Sequence, residues 1–373
     1  MEILVFVKSM DGGTGTYVLN LLQLYRVDKT ISVRILCLEK PRYRKIDSHI
    51  PVLFHHNRGF YRERFNLSIH NLLTYLDDFH WFKKHIDADK SSIVLGVDLY
   101  CNIIACITRA SDKSMRLVLT EHIDVFSNLK IRASRLLRFC LRFCIRYLYP
   151  RADKVVLVSK GLRTHFLQTV NISEKQTAVV YNGVELHNSI KRKATKKHKI
   201  IVTIARIVNQ KDHKTLLSAF QIVRKSMPDA KLWILSDGYM KQRLMQSSET
   251  IRNVTFYGWV ENIYEYLSKA DIFVLSSKRE GFGLALVEAM SQGLPVVATD
   301  THFGPAEVLN RGKCGSLVPE ADPNSMAKSI IRIMNNAEIY EKYSSASLKR
   351  AEYFSLQKML NSYYRLFKAI DKG

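Results

Sequence analysis

At 373 residues the chain is too long for one ordinary hydrophobic core and suits two domains. Hydrophobic residues at 47% and aromatic residues at 10% supply both cores, which excludes an intrinsically disordered chain. Lys plus Arg number 57 against 34 Asp plus Glu, and the net charge of +23 implies an anionic partner without choosing among nucleic acid, acidic lipid and a phosphorylated substrate.

The six cysteines show no C-x-x-C pair and no metal-ligand spacing, so they read as reduced core residues of a cytosolic protein. The opening MEILVFVKSMDGG reads as a strand running into a Gly loop, without the features of a signal peptide. No apolar run approaches the roughly eighteen residues that span a bilayer. A cytoplasmic protein, soluble or peripheral on a membrane, is expected.

Glu2 to Val7 is the first predicted strand, and Asp11-Gly12-Gly13-Thr14-Gly15-Thr16 is a Gly-rich turn before a helix beginning near Tyr17. Gly12, Gly13 and Thr14 are a tight turn on one reading and a phosphate or sugar cradle on the other, because Gly lets backbone approach a ligand. Val18 stands where the third Gly of G-x-G-x-x-G would fall, so this is no dinucleotide fingerprint. Glu39, after the strand Ile31 to Leu38, still mimics a ribose-binding acid, and a nicotinamide-dependent enzyme stays an alternative. Asp87-Ala88-Asp89 has the D-x-D form of a metal site but lies between a helix and the next strand, at the wrong end of a sheet. It reads as a solvated loop, and no metal is expected.

Ile93 to Val97 and Leu117 to Leu119 are short apolar strands separated by a helix through Tyr100 to Ile107. Such alternation indicates a doubly wound parallel sheet. Thr120-Glu121-His122 closes the second strand, where polar side chains project into the ligand crevice; His122 is a structural residue or a catalytic one. In Ile131 to Tyr149, Arg132, Arg135, Arg138, Arg142 and Arg146 fall within an arc of roughly 120°, opposite Leu, Phe, Cys, Ile and Tyr. This is the pattern of a basic amphipathic helix at an anionic membrane surface, and equally of a domain helix with its arginines in water. Val155 to Val158 is a further strand, and the basic stretch His187 to Lys199 reads as an interdomain linker.

A second domain opens with the strand Ile200 to Ala205. Arg206 at its end and Lys211 before the next helix are two cations placed to neutralise a diphosphate. Leu232 to Leu235 and Val254 to Tyr257 repeat the strand-then-turn pattern. The organising stretch is ADIFVLSSKREGFGLALVEAMSQGLPVVATDTHFGPAE, from Ala270 to Glu307. Ile272 to Leu275 is a buried parallel strand, Ser276 to Arg279 the loop at its carboxyl end, and a helix starts near Gly283. Glu280 in that loop and Glu288 in the helix both reach a ligand lying across the helix start, while Gly281 and Gly283 keep side chains away. Backbone N–H groups there face an anion or sugar oxygens. Two glutamates on one side of a ligand do not flank a scissile bond, which argues against a paired-carboxylate hydrolase.

Glu280 and Glu288 around Gly281-Phe282-Gly283-Leu284, followed by the EAM tripeptide, the Gly293-x-Pro295-Val-Val strand and Gly304-Pro305-Ala306-Glu307, resemble the family 4 retaining glycosyltransferases of the GT-B fold, also described as glycosyl transferases group 1. The resemblance implies an α/β fold of two Rossmann-like doubly wound parallel-sheet domains facing a cleft. It implies an acceptor-side domain over 1–186, a linker over 187–199, a nucleotide-sugar domain over 200–352 and a C-terminal helix over 353–373 packing back on the first domain. Arg206 and Lys211 match the family's diphosphate-binding pair. Gly281, Phe282, Gly283 and Leu284 take the donor, Glu288 the ribose, and Glu280 the sugar hydroxyls near the reacting carbon. His122 matches a histidine that touches donor sugar and acceptor. The expected activity is metal-independent, hexosyltransferase-type transfer, with retention, from a UDP- or GDP-sugar to a hydroxyl of a lipid-linked or polysaccharide precursor of the cell envelope. No cofactor is expected beyond the nucleotide sugar as co-substrate. The charge leaves a nucleic-acid-binding protein as the alternative from another class, but no basic face with interleaved aromatics and no reading motif is found, and no nucleic acid is expected. His302-Phe303 before Gly304 departs from the second Gly common in related sequences, so a less open sugar-side loop is expected.

Overall fold

The computed structural model describes residues 1–42, 46, 48–56, 69–87, 92–127, 135–186 and 199–372, with the backbone alone at 56, 69–72 and 87. The chain divides into two compact units, Met1–Tyr181 together with Met359–Gly373, and Asn182–Lys358. Ala88 and Asp89 of the D-x-D triplet, Arg132 of the basic helix and the linker residues 187–198 lie outside the described residues.

Among the described residues, the first unit carries a seven-stranded parallel sheet. Its strands are β1 (Glu2–Ser9), β2 (Ser32–Glu39), β3 (Val52–His56), β4 (Ile93–Val97), β5 (Arg116–Glu121), β6 (Lys154–Leu157) and β7 (Thr177–Val179), ordered β3-β2-β1-β4-β5-β6-β7. Ile3 to Val7 is completely buried, as a central parallel strand covered on both faces must be. The C-terminal helix Leu356–Asp371 enters this unit from Met359. Tyr363 and Phe367 are buried there, Lys368 Nζ lies 3.4 Å from Asp28, and Asp371 pairs with Arg116.

The second unit carries a six-stranded parallel sheet of β8 (Ile200–Ile204), β9 (Lys231–Leu235), β10 (Val254–Gly258), β11 (Ile272–Leu275), β12 (Val296–Thr299) and β13 (Ser316–Val318), ordered β10-β9-β8-β11-β12-β13. The helix His213–Ser226 turns Leu216, Phe220 and Val223 into a core shared with Ile234 and Val274 of the sheet and with Met326 and Ile330 of the helix Pro323–Asn335. Each of these side chains contributes about 1.5–3 kcal/mol by leaving water. In each sheet the order reverses once, between β1 and β4 and between β8 and β11. The crevice outside the carboxyl ends of the strands at such a reversal is where parallel α/β sheets hold ligands.

Two local readings need correction. The helix expected near Tyr17 spans Gly12–Leu21, so Gly12, Gly13 and Thr14 form its first turn and not a loop. Gly12 has a φ of 63°, and Gly15 is required by a close approach, since a Cβ there would lie 1.7 Å from the Met10 carbonyl oxygen. The edge strand β3 was not anticipated, because its apolar run Val52–Phe54 is too short to stand out from the sequence around it.

Candidate active site

In the second unit, the two loops that leave β8 and β11 at the reversal are joined side by side. Lys211 Nζ donates to Glu280 Oε1 at 2.5 Å, and Ser277 Oγ donates to the same oxygen at 2.6 Å. Ser276 Oγ donates to the Lys211 carbonyl at 2.9 Å, and Gln210 Nε2 donates to the Arg279 carbonyl at 2.9 Å. The Lys278 N–H returns a bond to the Gln210 carbonyl at 2.9 Å, and the Thr299 hydroxyl at the end of β12 donates to the Ser277 carbonyl. The loop around Glu280 is thus fixed from three neighbouring strand ends. Lys211 and Glu280, expected to act on different parts of a ligand, are brought together as a charge-assisted pair with side chains 16% and 9% exposed. Arg206 stands half-buried at the carboxyl end of β8.

Gly283 stands at the N-cap of the helix Leu284–Ser291 with a φ of 95° and offers no side chain to bond the helix start. The Leu286 N–H already donates to the Gly283 carbonyl at 3.0 Å, which leaves the N–H groups of Leu284 and Ala285 ahead of it for an oxyanion. Glu288, on that helix, is 8% exposed. Its charge and that of Glu185 add to burial in raising the Tyr264 phenol above its ordinary value, which puts all three groups in one electrostatic neighbourhood. Phe282 packs its ring 5.3 Å from that of Phe354. Gly304, φ 89°, brings the next loop so close that a Cβ would lie 2.7 Å from the Phe282 carbonyl oxygen. Of the pair that departs from the family pattern, Phe303 is buried and His302 exposed. His213, directly after the Lys211 turn, is 3% exposed, and burial, with the Lys211 charge second, holds its imidazole down to about 4.

In the first unit, His122 follows β5. Its Nε2 lies 3.3 Å from Thr120 Oγ1, and its ring meets Tyr17 edge-on at 4.3 Å. Burial pushes its pKa below the ordinary 6.5, while the Asp98 charge pulls the other way. Asp98 begins the helix after β4 with a φ of 67°, a backbone conformation a non-Gly residue holds only under constraint. Thr14 Oγ1 donates to its Oδ2 at 3.4 Å, so Thr14 meets Asp98 at the β1/β4 reversal. Glu121 is completely enclosed, accepts from Asn102 Nδ2 at 2.8 Å and from the Tyr149 hydroxyl, and burial raises its carboxyl to about 8. Asp98, Tyr17 and His213 were not among the expected site residues, and Glu121 was legible only within the Thr120-Glu121-His122 triplet at the end of its strand. Of the other three only Asp98 carried a local signal, as a polar residue directly after the VLGV strand.

Family models match over most of the chain. "Glycosyltransferase Family 4" covers residues 11–188, and "Glycosyl transferases group 1" covers 187–350. A Campylobacter jejuni enzyme, N-acetylgalactosamine-N,N'-diacetylbacillosaminyl-diphospho-undecaprenol 4-alpha-N-acetylgalactosaminyltransferase, is 28% identical over 69% of this chain and 71% of its own length. The poly(ribitol-phosphate) alpha-N-acetylglucosaminyltransferase of Staphylococcus aureus is 27% identical over 60% of this chain, which spans only 46% of that relative. Among solved structures, the sucrose-phosphate synthase of Thermosynechococcus elongatus superposes with a TM-score of 0.80 at 18% identity, covering 99% of both chains. A Staphylococcus aureus TarM variant in complex with fondaparinux, alpha-GlcNAc-glycerol and UDP gives 0.77 at 17% identity, covering 98% and 99%. Both sheets, the loops gathered at their reversals and these matches agree: the chain belongs to the family 4 glycosyltransferases of the GT-B fold.

Proposed function

We propose that the protein transfers a sugar from a nucleotide diphosphate sugar to a hydroxyl on a lipid-linked or polymeric glycan precursor of the cell envelope, with retention at the anomeric carbon. The observation that carries the reading is the Lys211–Glu280 pair beside the uncapped helix start at Gly283. Cleaving the anomeric bond builds positive charge on the sugar and negative charge on the departing diphosphate. Arg206, Lys211 and the N–H groups after Gly283 stabilise the diphosphate as fixed electrostatics, without a metal. Glu280 orients Lys211 and offers its remaining carboxylate capacity to sugar hydroxyls; Glu288 takes the ribose. His122 serves the acceptor side. A UDP-linked donor is favoured over a GDP-linked one by the UDP in the TarM complex, and a lipid-linked or polymeric acceptor by the diphospho-undecaprenol and poly(ribitol-phosphate) substrates named for the two relatives.

The same reading includes attachment to an anionic bilayer. No described helix is long and apolar enough to cross a membrane. The helix Arg135–Leu148, however, carries two apolar stripes, which corrects the single apolar arc read from the sequence. Leu137, Leu141 and Ile145 pack inward, while Leu136, Phe139, Phe143 and Tyr147 are 65%, 70%, 53% and 59% exposed beside Arg135, Arg142 and Arg146. Exposed apolar groups flanked by arginines suit the boundary between acyl chains and anionic headgroups.

Calorimetric titration with UDP, GDP and their sugars tests the donor. UDP is expected to bind, and Arg206→Ala with Lys211→Ala to weaken it by about a hundredfold or more, the loss of two charge-assisted contacts, in a protein that stays folded. Unchanged affinity in the folded double variant would refute the assignment.

A further inference from the structure

In the second unit, an arginine far along the chain from the loop around Gly283 is tied to that loop by contacts on two sides. The four-residue helix Pro305–Val308 starts at Gly304, which lies flat on the Phe282 peptide: a Cβ there would come 2.7 Å from the Phe282 carbonyl oxygen and 2.9 Å from both its carbonyl carbon and its nitrogen. At the other end of that helix, Arg350 Nε donates to the Val308 carbonyl at 2.9 Å and Arg350 Nη2 to the Glu307 carbonyl at 2.8 Å. Arg350 comes from the last turn of the helix Ala337–Ala351, and its guanidinium lies 4.7 Å from the ring centroids of both Tyr353 and Phe354. The buried Phe354 ring in turn meets the buried Phe282 ring edge-on at 5.3 Å. The contacts close a circuit, from the Phe282 peptide through Gly304 and the short helix to Arg350, and from Arg350 through Phe354 back to the Phe282 side chain.

A helix this short has no stability of its own and takes its place from what holds it. Two neighbouring carbonyls at its end suit the planar fork of a guanidinium, whose flat faces also stack on aromatic rings; an ammonium reproduces neither. Bonds from a charged donor are the stronger kind, so the grip on the short helix is firm. Its effect falls on Phe282, which is held at its backbone by Gly304 and at its ring by Phe354. The N–H groups of Leu284 and Ala285 follow two and three residues later at the helix start, so a displaced Phe282 re-aims them.

We propose that Arg350 is a positioning residue for the donor loop: by holding the Glu307 and Val308 carbonyls and stacking on Phe354 it fixes Phe282 from both sides, and so aims the N–H groups of Leu284 and Ala285 at the diphosphate. This rests on the reading of Gly281 to Leu284 as the donor loop. Arg350 itself touches no substrate.

Hydrogen exchange on the full chain reads the positioning without any ligand, and calorimetry with UDP reads its consequence. Arg350→Met keeps an apolar stem and loses the fork. In this variant the amides of Leu309 and Arg311, and of Leu286 behind Gly283, are expected to exchange about fivefold faster or more, the equivalent of one net hydrogen bond, while those of β8 and β9 hold. UDP is expected to bind about fivefold more weakly. Arg350→Lys keeps the charge but not the fork and is expected to resemble Arg350→Met. Methylguanidinium added to Arg350→Ala is expected to restore both readouts, and methylammonium neither. Should the variants at 350 fail to fold, Phe354→Leu, which breaks the stack and leaves the fork, is expected to speed exchange at Leu286. Faster exchange spread evenly over the strands of the second unit would mean a packing role alone and overturns the proposal. Unchanged exchange overturns it too, as does unchanged UDP affinity in a protein whose UDP binding Arg206→Ala with Lys211→Ala weakens. Local exchange as expected, with UDP binding absent or indifferent to that double variant, supports the positioning and instead overturns the donor reading.

Discussion

Lys211 and Glu280 are mostly withdrawn from water, so neither charge is resolvated if the other is removed. Removing one half of such a pair costs about 3–5 kcal/mol, whereas replacing both halves with apolar groups of similar size is often near neutral. Lys211→Met alone is therefore expected to lower urea stability more than Lys211→Met combined with Glu280→Leu. Glu280→Gln keeps the shape and the acceptor for Ser277. It is expected to bind free nucleotide within about threefold of wild type and to lose sugar transfer, while Glu288→Ala weakens free nucleotide about tenfold. Equal losses of free-nucleotide affinity in calorimetry would end that division of labour. The residue types of this site were legible because each stands at a strand's carboxyl end. Their pairing was not, since a contact between positions 69 apart is set by sheet order. Gly304 was legible as part of the Gly304-Pro305-Ala306-Glu307 run, but its reason, the approach to the Phe282 carbonyl, is tertiary.

At the level of elements, Ile93–Val97 was read with its observed ends, because a continuous apolar run between polar residues has one interpretation in a parallel sheet. The helix Gly12–Leu21 was read late because Gly looks like a breaker, whereas here Gly15 is demanded by packing on Met10. The helix Arg135–Leu148 was legible as basic and amphipathic. Which of its apolar residues face outward was not, because i, i+3/i+4 spacing serves an inner and an outer stripe alike. That division makes its docking testable with two kinds of variant. Arg135→Glu with Arg138→Glu and Arg142→Glu removes attraction of about 1 kcal/mol per arginine at an acidic surface. Phe139→Ser with Phe143→Ser removes insertion and, at exposed positions, should leave stability within about 0.5 kcal/mol. Liposome sedimentation is expected to rise with acidic lipid, fall with salt and weaken roughly tenfold or more in the first variant, while the second weakens at every salt concentration. Binding indifferent to lipid charge in the wild type would make the outer stripe something other than a membrane face.

At the scale of the whole molecule, its two units are expected to answer pH with opposite sign. In the first, Glu121 is neutral up to about 8 because burial, with the charges of Asp98 and Asp124 adding, outweighs its bonds from Tyr149 and Asn102. An unfolded chain releases that proton above about 4.5, so between 4.5 and 8 the native state holds more protons and stability falls as pH rises. In the second, His213 is held down to about 4 against an ordinary 6.5. Between those values the unfolded chain holds more protons, and stability falls as pH falls. Hydrogen exchange, corrected for its intrinsic pH dependence, separates the two. Amides of β4 and β5 are expected to lose about 2 kcal/mol of protection from pH 6 to 8, and those of β8 and β9 a similar amount from pH 6.5 to 5. Glu121→Gln keeps the shape and has no proton to lose, so it should flatten the first slope and leave the second. His213→Phe should do the reverse. An alkaline slope in β5 that survives Glu121→Gln would mean that a different group carries it and that the enclosed carboxyl is already ionised in the native protein.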